Sequence, residues 1–290
     1  MAALLRHNGM ACRLLLRPDK LEQLAAVQAQ ISLRDSSTGE HNLWPVELCS
    51  AQHSATIDNL LLTTKAADAL SALHSVAHRL AKQANIVVLQ NGMGGHNAII
   101  AAFAQHAIYA ATTTAGVRRS GPFSIVRSGR GTTWIGLLHG GLHNDTGTPV
   151  KRLTQLSGMD VHFTDAIEQK LQDKLLVNAV VNGLTVRHNC RNGELLKPRF
   201  KAELYALCQE TQRVLELDGW RTARPAITLI EEVLHSTADN ISSTLQDVRN
   251  RKPTELAWLN GYLVAVAEQH GVKAPLHAAL LSELHSRGIT

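Results

Sequence analysis

The sequence predicts an α/β domain over residues 1–164 followed by an all-α domain over residues 165–290. Three observations carry this. Short β-rich apolar runs alternate with helical periodicity in the first half. Helical patterns follow one another without a convincing strand from about residue 165. A polar, glycine-rich turn, "QNGMGG", closes one of the apolar runs and opens a helical one.

The elements follow in order. "ACRLLLR" (11–17), "NLLLTTK" (59–65), "NIVVLQN" (85–91) and "AIYAATTTA" (107–115) read as buried strands. "AADALSALHSVAHRLAKQ" (66–83) and "GGHNAIIAAFAQH" (94–106) carry helical periodicity between them. Strand, helix, strand at this rhythm implies a parallel sheet with right-handed crossovers. Residues 31–50, with "GEHNLWPVELC", read as an inserted antiparallel excursion. "SIVRSGRGTTWIGLL" (124–138) reads as a hairpin pair at the far side of the sheet. Helices are expected over 165–183, 198–218, 224–238, 240–250, 254–270 and 276–286.

Bulk composition narrows the function classes. The 290 residues are 44% hydrophobic and 18% charged, ordinary for a soluble globular protein. No run approaches a membrane span, and the N-terminal stretch has charges where a secretory signal would be apolar, so cytosol is expected. Four scattered cysteines, without metal or CxxC spacing, read as reduced structural thiols. The 15 histidines are equally dispersed; "HGGLHND" (139–145) is the nearest to a cluster, and no metal site is expected. The net charge of +5 and pI of about 9.2 fit nucleic acid or small anionic ligands. With 4% aromatics and no long basic run, base stacking is poorly supplied, so small anions are favoured.

The stretch "QDKLLVNAVVNGLTV" carries the chemistry. Lys174, Asn178 and Asn182 recur every four residues in an apolar run, a stripe drifting about 40° per step on a helix. Such a stripe either faces solvent, pairs with a carboxylate from another helix, or presents donors to a bound polar ligand. Asn is a mediocre helix former, which favours the last. In open α/β sheets ligands bind beyond the carboxyl ends of the strands, where Arg17, Lys65, Asn91 and the 114–116 run fall. The "QNGMGG" turn offers backbone N–H groups to an anion there, or is only a tight connection.

A Rossmann domain opens with a strand and a G-x-G-x-x-G turn into its first helix, and no such motif stands near the start of this sequence. "MAALLRHNG" reads as the middle and end of that helix, stopped by Gly9, and "ACRLLLR" as the second strand. On the usual layout roughly 14 residues, one strand and one glycine turn, are absent. The pieces "LQNGMG", "KLLVNAVVNGLT", "NCRNGEL" and "NISSTLQDVRNRKPTEL" nonetheless make nearly the whole chain resemble the ketopantoate reductase (2-dehydropantoate 2-reductase) family. An Asn-Ile-Ser-Ser start followed twelve residues after the second Ser by Glu255 is the most specific of them.

The resemblance implies a Rossmann-like N-terminal domain, a helical C-terminal domain, and NADPH-dependent reduction of 2-dehydropantoate to pantoate in pantothenate and coenzyme A biosynthesis. It makes Lys174 the proton donor and Glu255 a carboxylate near it and the nicotinamide ribose. Asn91, Asn178, Asn182, Asn192, Asn240, Ile241, Ser242 and Ser243 become substrate positions. Arg17, Lys65, Asn91, Val117 and Glu255 become NADPH/NADP+ positions, with no metal. The partner implied is a small 2-keto acid rather than nucleic acid or membrane, and the protein a monomer or homodimer.

The chemistry asks for these groups independently. Hydride delivered to a ketone carbon leaves an alkoxide, which a lysine near a carboxylate can protonate and stabilise. An arginine rather than an acid after the second strand suits a 2′-phosphate, unless Arg17 is only a surface charge. Glu255 is otherwise a solvated residue after Pro253. Gly183, where the family often has proline, is expected to loosen the end of its helix. Asp68, where the family tends to a neutral residue, either weakens an NADPH contact or pairs with Lys65. The competing functions are a non-catalytic remnant binding an anionic metabolite or protein, and a reductase of another small 2-keto acid. A β-hydroxyacid dehydrogenase is disfavoured by the NISS and arginine pattern.

Overall fold

Two apolar runs, Ala84–Leu89 and Ala107–Ala111, are buried at almost every position, as strands covered on both faces must be. They mark the centre of the first unit's sheet. The computed structural model describes residues 1–24, 29–140 and 148–290. Two compact units result: Met1–Thr64, Ala69–Leu89 and Ile100–Ile167 form the first, and Lys65–Asp68, Gln90–Ile99 and Glu168–Thr290 the second. The main division falls between Ile167 and Glu168. Two short segments of the first half also belong with the helices, because their hydrogen bonds go there.

In the first unit, α1 (Ala2–His7) ends before Gly9, whose φ of +72° suits a residue without Cβ. β1 (Arg13–Leu15) is followed by α2 (Pro18–Leu24), then by the antiparallel pair β2 (Gln30–Asp35) and β3 (His41–Pro45). β4 (Glu47–Cys49) runs parallel to β1, and these two form a sheet of their own. β5 (Ile57–Leu62), α3 (Ala66–Val76), β6 (Leu80–Leu89), α4 (Gly95–Ala102) and β7 (Ala107–Thr113) give the expected strand–helix rhythm. β8 (Gly116–Gly121), β9 (Ser124–Gly129), β10 (Thr132–His139), α5 (Thr148–Lys151) and β11 (Asp160–Phe163) complete the unit. The five-stranded sheet has the order β11-β10-β7-β6-β5, parallel except between β10 and β7; the four-stranded sheet has the order β3-β2-β9-β8.

Three expectations need correction. The helix read over 66–83 stops at Val76, and the strand begins at Leu80 rather than Asn85. The buried Arg79 causes this: its guanidinium donates to the Ser50 and Ala55 carbonyls and pins the chain beside β5. Residues 124–138 are not a hairpin, since β9 pairs with β8 and β2, and β10 with β7 and β11. The chain changes sheets at Gly131, where a Cβ would lie 2.4 Å from the Ala115 nitrogen. The strand expected to reach Lys65 ends at Leu62, which frees Lys65 for the second unit.

The second unit is helical: α6 (Ile167–His188), a 3₁₀ turn (Asn192–Leu196), α7 (Pro198–Leu217), α8 (Ala226–Ser236), α9 (Ser243–Arg249), α10 (Leu256–Gln269) and α11 (Pro275–Ser286). Proline opens α7 and α11, where its missing N–H costs nothing. The core is built on α6, whose Leu175, Leu176, Ala179, Val180 and Leu184 are buried with Leu259, Leu263 and Leu280. α6 does not end at residue 183. It runs on to His188, and a Cβ at Gly183 would lie 2.5 Å from Leu280 Cδ2, so the glycine admits α11 rather than loosening a terminus. Among the described residues no helix is long and apolar enough to cross a membrane, and no three His, Cys, Asp or Glu side chains could hold a metal. Of "HGGLHND", residues 141–145 lie outside the described residues.

Candidate active site

The polar stripe is real in three dimensions. Lys174 and Asn178 are half-buried on α6 and Asn182 is buried. Taking the Lys174 ammonium out of water lowers its pKa to about 8, an effect the Glu255 carboxylate opposes. Glu255 stands at the residue preceding α10, nine-tenths buried, and one of its oxygens accepts a hydrogen bond of 3.0 Å from Asn91 Nδ2. Burial pushes the Glu255 carboxyl up, and the Asn91 bond and the Lys65 and Lys174 charges pull it back. Glu255, whose charge acts on Lys174, thus stands at the start of another helix.

Asn91 is aimed by a turn seated on α10. Glu255, Trp258 and Tyr262 follow at spacings of three and four, so they share one side of the helix entrance. The Met93 N–H donates to the Trp258 carbonyl at 3.0 Å. Gly92 and Gly94 have φ of +79° and +94°, and Cβ atoms there would lie 2.5 Å from the Trp258 oxygen and 3.1 Å from the Tyr262 ring. Tyr262 is itself held, donating to Asp218 Oδ2 at 3.0 Å. The turn is a tight connection whose Met93 N–H is spent inside the protein.

Lys65 joins the same unit. Its ammonium lies 2.8 Å from Asp247 Oδ2 and 2.6 Å from the Pro253 carbonyl. A cavity of about 240 Å³ opens there, lined by Lys65, Ala67, Asp68, Lys252, Pro253, Thr254, Glu255 and Trp258. Asp247, Trp258 and Tyr262 were missed in the sequence. Asp247 stood inside a quoted motif, and Trp258 stood one turn after Glu255, which is the signal that helical spacing offered.

The remaining expected substrate positions beyond the stripe gather at the other end of α6. Asn192 is buried in the 3₁₀ turn; its Nδ2 donates to Thr237 Oγ1 at 2.9 Å, and its Oδ1 has no partner among the described residues. Its backbone N–H donates to the Asn240 carbonyl at 3.0 Å. Asn240 and Ser243 are exposed, Ile241 half-buried, and Ser242 buried as the N-cap of α9. Arg17 and Val117 belong to the first unit. Arg17 is exposed just past β1; Val117 is exposed in β8 and lines a cavity of about 630 Å³ with Leu4, Arg127, Arg130 and Met159.

The residues of the second unit fit the reacting end of a nicotinamide dinucleotide. Asn91, Lys174 and Glu255 would offer such a group a donor, a proton and an acceptor, and the orphaned Asn192 oxygen could accept from a hydroxyl.

A mixed sheet with Rossmann-like order, followed by a helical unit holding a lysine–carboxylate pair, defines the class as a two-domain oxidoreductase. The chain belongs to the ketopantoate reductase PanE/ApbA family: residues 1–140 match the family's N-terminal model and residues 166–288 its C-terminal one. It is 31% identical over 231 residues to the 2-dehydropantoate 2-reductase of Vibrio cholerae, covering 78% of this chain and 76% of that protein. With that of Salmonella typhimurium the identity is 34% over 224 residues, covering 76% and 71%. A Bacillus subtilis crystal structure, described as a probable 2-dehydropantoate 2-reductase, superposes with a TM-score of 0.80 at 26% identity, covering 96% of this chain and 92% of that one. A D-mandelate dehydrogenase solved with NADH and anilino(oxo)acetate has a TM-score of 0.83 at 21% identity over 98% and 93%, a likeness of fold alone.

Proposed function

We propose that this chain is an NADPH-dependent 2-dehydropantoate 2-reductase, forming pantoate for pantothenate and coenzyme A synthesis in the cytoplasm, as a monomer or homodimer. The observation that carries the reading is the Lys174 ammonium, lowered to about 8 beside a Glu255 carboxylate that Asn91 fixes. At neutral pH this lysine still holds its proton, yet gives it up more readily than an ordinary ammonium. NADPH, when bound, supplies the hydride to the ketone carbon. Lys174 protonates the oxygen that becomes negative and is left as the neutral amine, while Glu255 stabilises its charged form beforehand. Asn178 and Asn182 continue the line of donors along α6 toward Asn192 and the Asn240–Ser243 segment, which receives the substrate's hydroxyls and carboxylate. Arg17 takes the 2′-phosphate, with Lys65, Asn91, Val117 and Glu255 at the other cofactor positions. The names of the relatives at 31–34% identity support the choice of substrate.

The test is NADPH consumption by the purified chain with 2-dehydropantoate and with other small 2-keto acids, the product identified by mass spectrometry. The highest kcat/KM should fall to 2-dehydropantoate. Faster turnover of another 2-keto acid would reassign the substrate, and no turnover of any would remove the reading.

A further inference from the structure

We infer that Thr185 is a positioning residue for the Asn240–Ser243 segment, and that it holds the Ser242 hydroxyl away from substrate. The inference rests on the reading that this segment meets the substrate carboxylate. Thr185 lies on α6, three residues beyond Asn182, with no exposed surface. Its Oγ1 is 3.1 Å from the Asn182 carbonyl oxygen and 2.7 Å from Ser242 Oγ. Ser242 Oγ in turn accepts the Leu245 N–H at 3.2 Å.

Each hydroxyl has one proton, and the bookkeeping of those protons fixes the direction of the chain. The Asn182 carbonyl can only accept, so the Thr185 proton goes to it. Thr185 then accepts from Ser242, whose own proton is thereby used. The remaining acceptor capacity of Ser242 takes the Leu245 N–H and caps α9. The relay runs Leu245 N–H, Ser242, Thr185, Asn182 carbonyl. Ser242 therefore has no proton to give a carboxylate, and the hydroxyl left for that task is the exposed Ser243 beside it.

A second tether reaches the same segment from the other side. The Asn192 and Gly193 N–H groups donate to the carbonyls of Asn240 and Ala238. Asn192 Nδ2 also donates to Thr237 Oγ1. The segment is thus fastened to the 3₁₀ turn and to α6 separately, and Thr185 supplies the second fastening, next to the Asn178–Asn182 stripe.

The experiment compares Thr185→Val, Thr185→Ser and Ser242→Ala by steady-state kinetics and by amide hydrogen exchange of residues 243–249. Thr185→Val should raise KM for 2-dehydropantoate about tenfold, the loss of one well-placed hydrogen bond, with kcat and the NADPH KM within about twofold. Thr185→Ser should restore the KM, Ser242→Ala should resemble Thr185→Val, and both damaging variants should speed exchange at Leu245. A Ser242→Ala loss far beyond that of Thr185→Val would make Ser242 a direct donor and overturn the inference. So would a fall in kcat that Thr185→Ser does not rescue, the mark of a packing role. If the wild type turns over no 2-keto acid, the functional reading fails by itself, and unchanged Leu245 exchange in Thr185→Val would sink the relay independently.

Discussion

An ammonium with a pKa of about 8 loses its proton within the range where reductases are assayed, so Lys174 should be visible in a pH profile. The sign is set by its role. A proton donor works while charged, and kcat should therefore fall as pH rises through about 8. Glu255 raises that pKa, so Glu255→Gln should move the basic limb to lower pH; an unmoved limb would uncouple the two groups. Arg17→Ala should weaken NADPH and spare NADH, by about 1.5–3 kcal/mol for a charge-assisted contact to a 2′-phosphate. Equal losses with both cofactors would place Arg17 elsewhere. The stripe was legible because three polar residues at four-residue spacing in an apolar run have few explanations. Its partners were not. The Lys65–Asp247 bond joins residues 182 positions apart, and nothing in either neighbourhood announces the other.

At the scale of elements, α10 does more than close the helical core. Its first turns carry Glu255, seat the Met93 N–H on the Trp258 carbonyl, and leave room for Gly92 only because it has no Cβ. Gly92→Ala would drive a methyl onto a backbone oxygen in a conformation that L-residues rarely adopt. It should cost about 1–3 kcal/mol in denaturant unfolding and release Asn91 from Glu255. Wild-type stability and unchanged kinetics in that variant would show that the turn does not aim Asn91. The helices of the second unit were largely readable, since their periodicity is long and their proline starts are explicit. Sheet membership was less so. Residues 124–138 look like two adjacent strands, and only the approach of Gly131 to Ala115 and Thr114 sends them into different sheets. The early start of β6 likewise depends on where the Arg79 guanidinium finds carbonyls, which no local pattern encodes.

At the scale of the whole molecule, chemistry and cofactor binding make different demands on the chain. The groups proposed for proton transfer are carried by one unit, whereas the strands of the first unit fall into three sheets among the described residues, and β1 and β5 belong to different ones. The central claim, that α6 delivers the proton in reduction of 2-dehydropantoate, is tested most directly by measuring pantoate formation from 2-dehydropantoate and NADPH with Lys174 and with Lys174→Ala. Pantoate should form, and the variant should lose on the order of 10²-fold in kcat with KM little changed, as removal of a general acid does. Absence of pantoate, or a loss confined to KM, would contradict it.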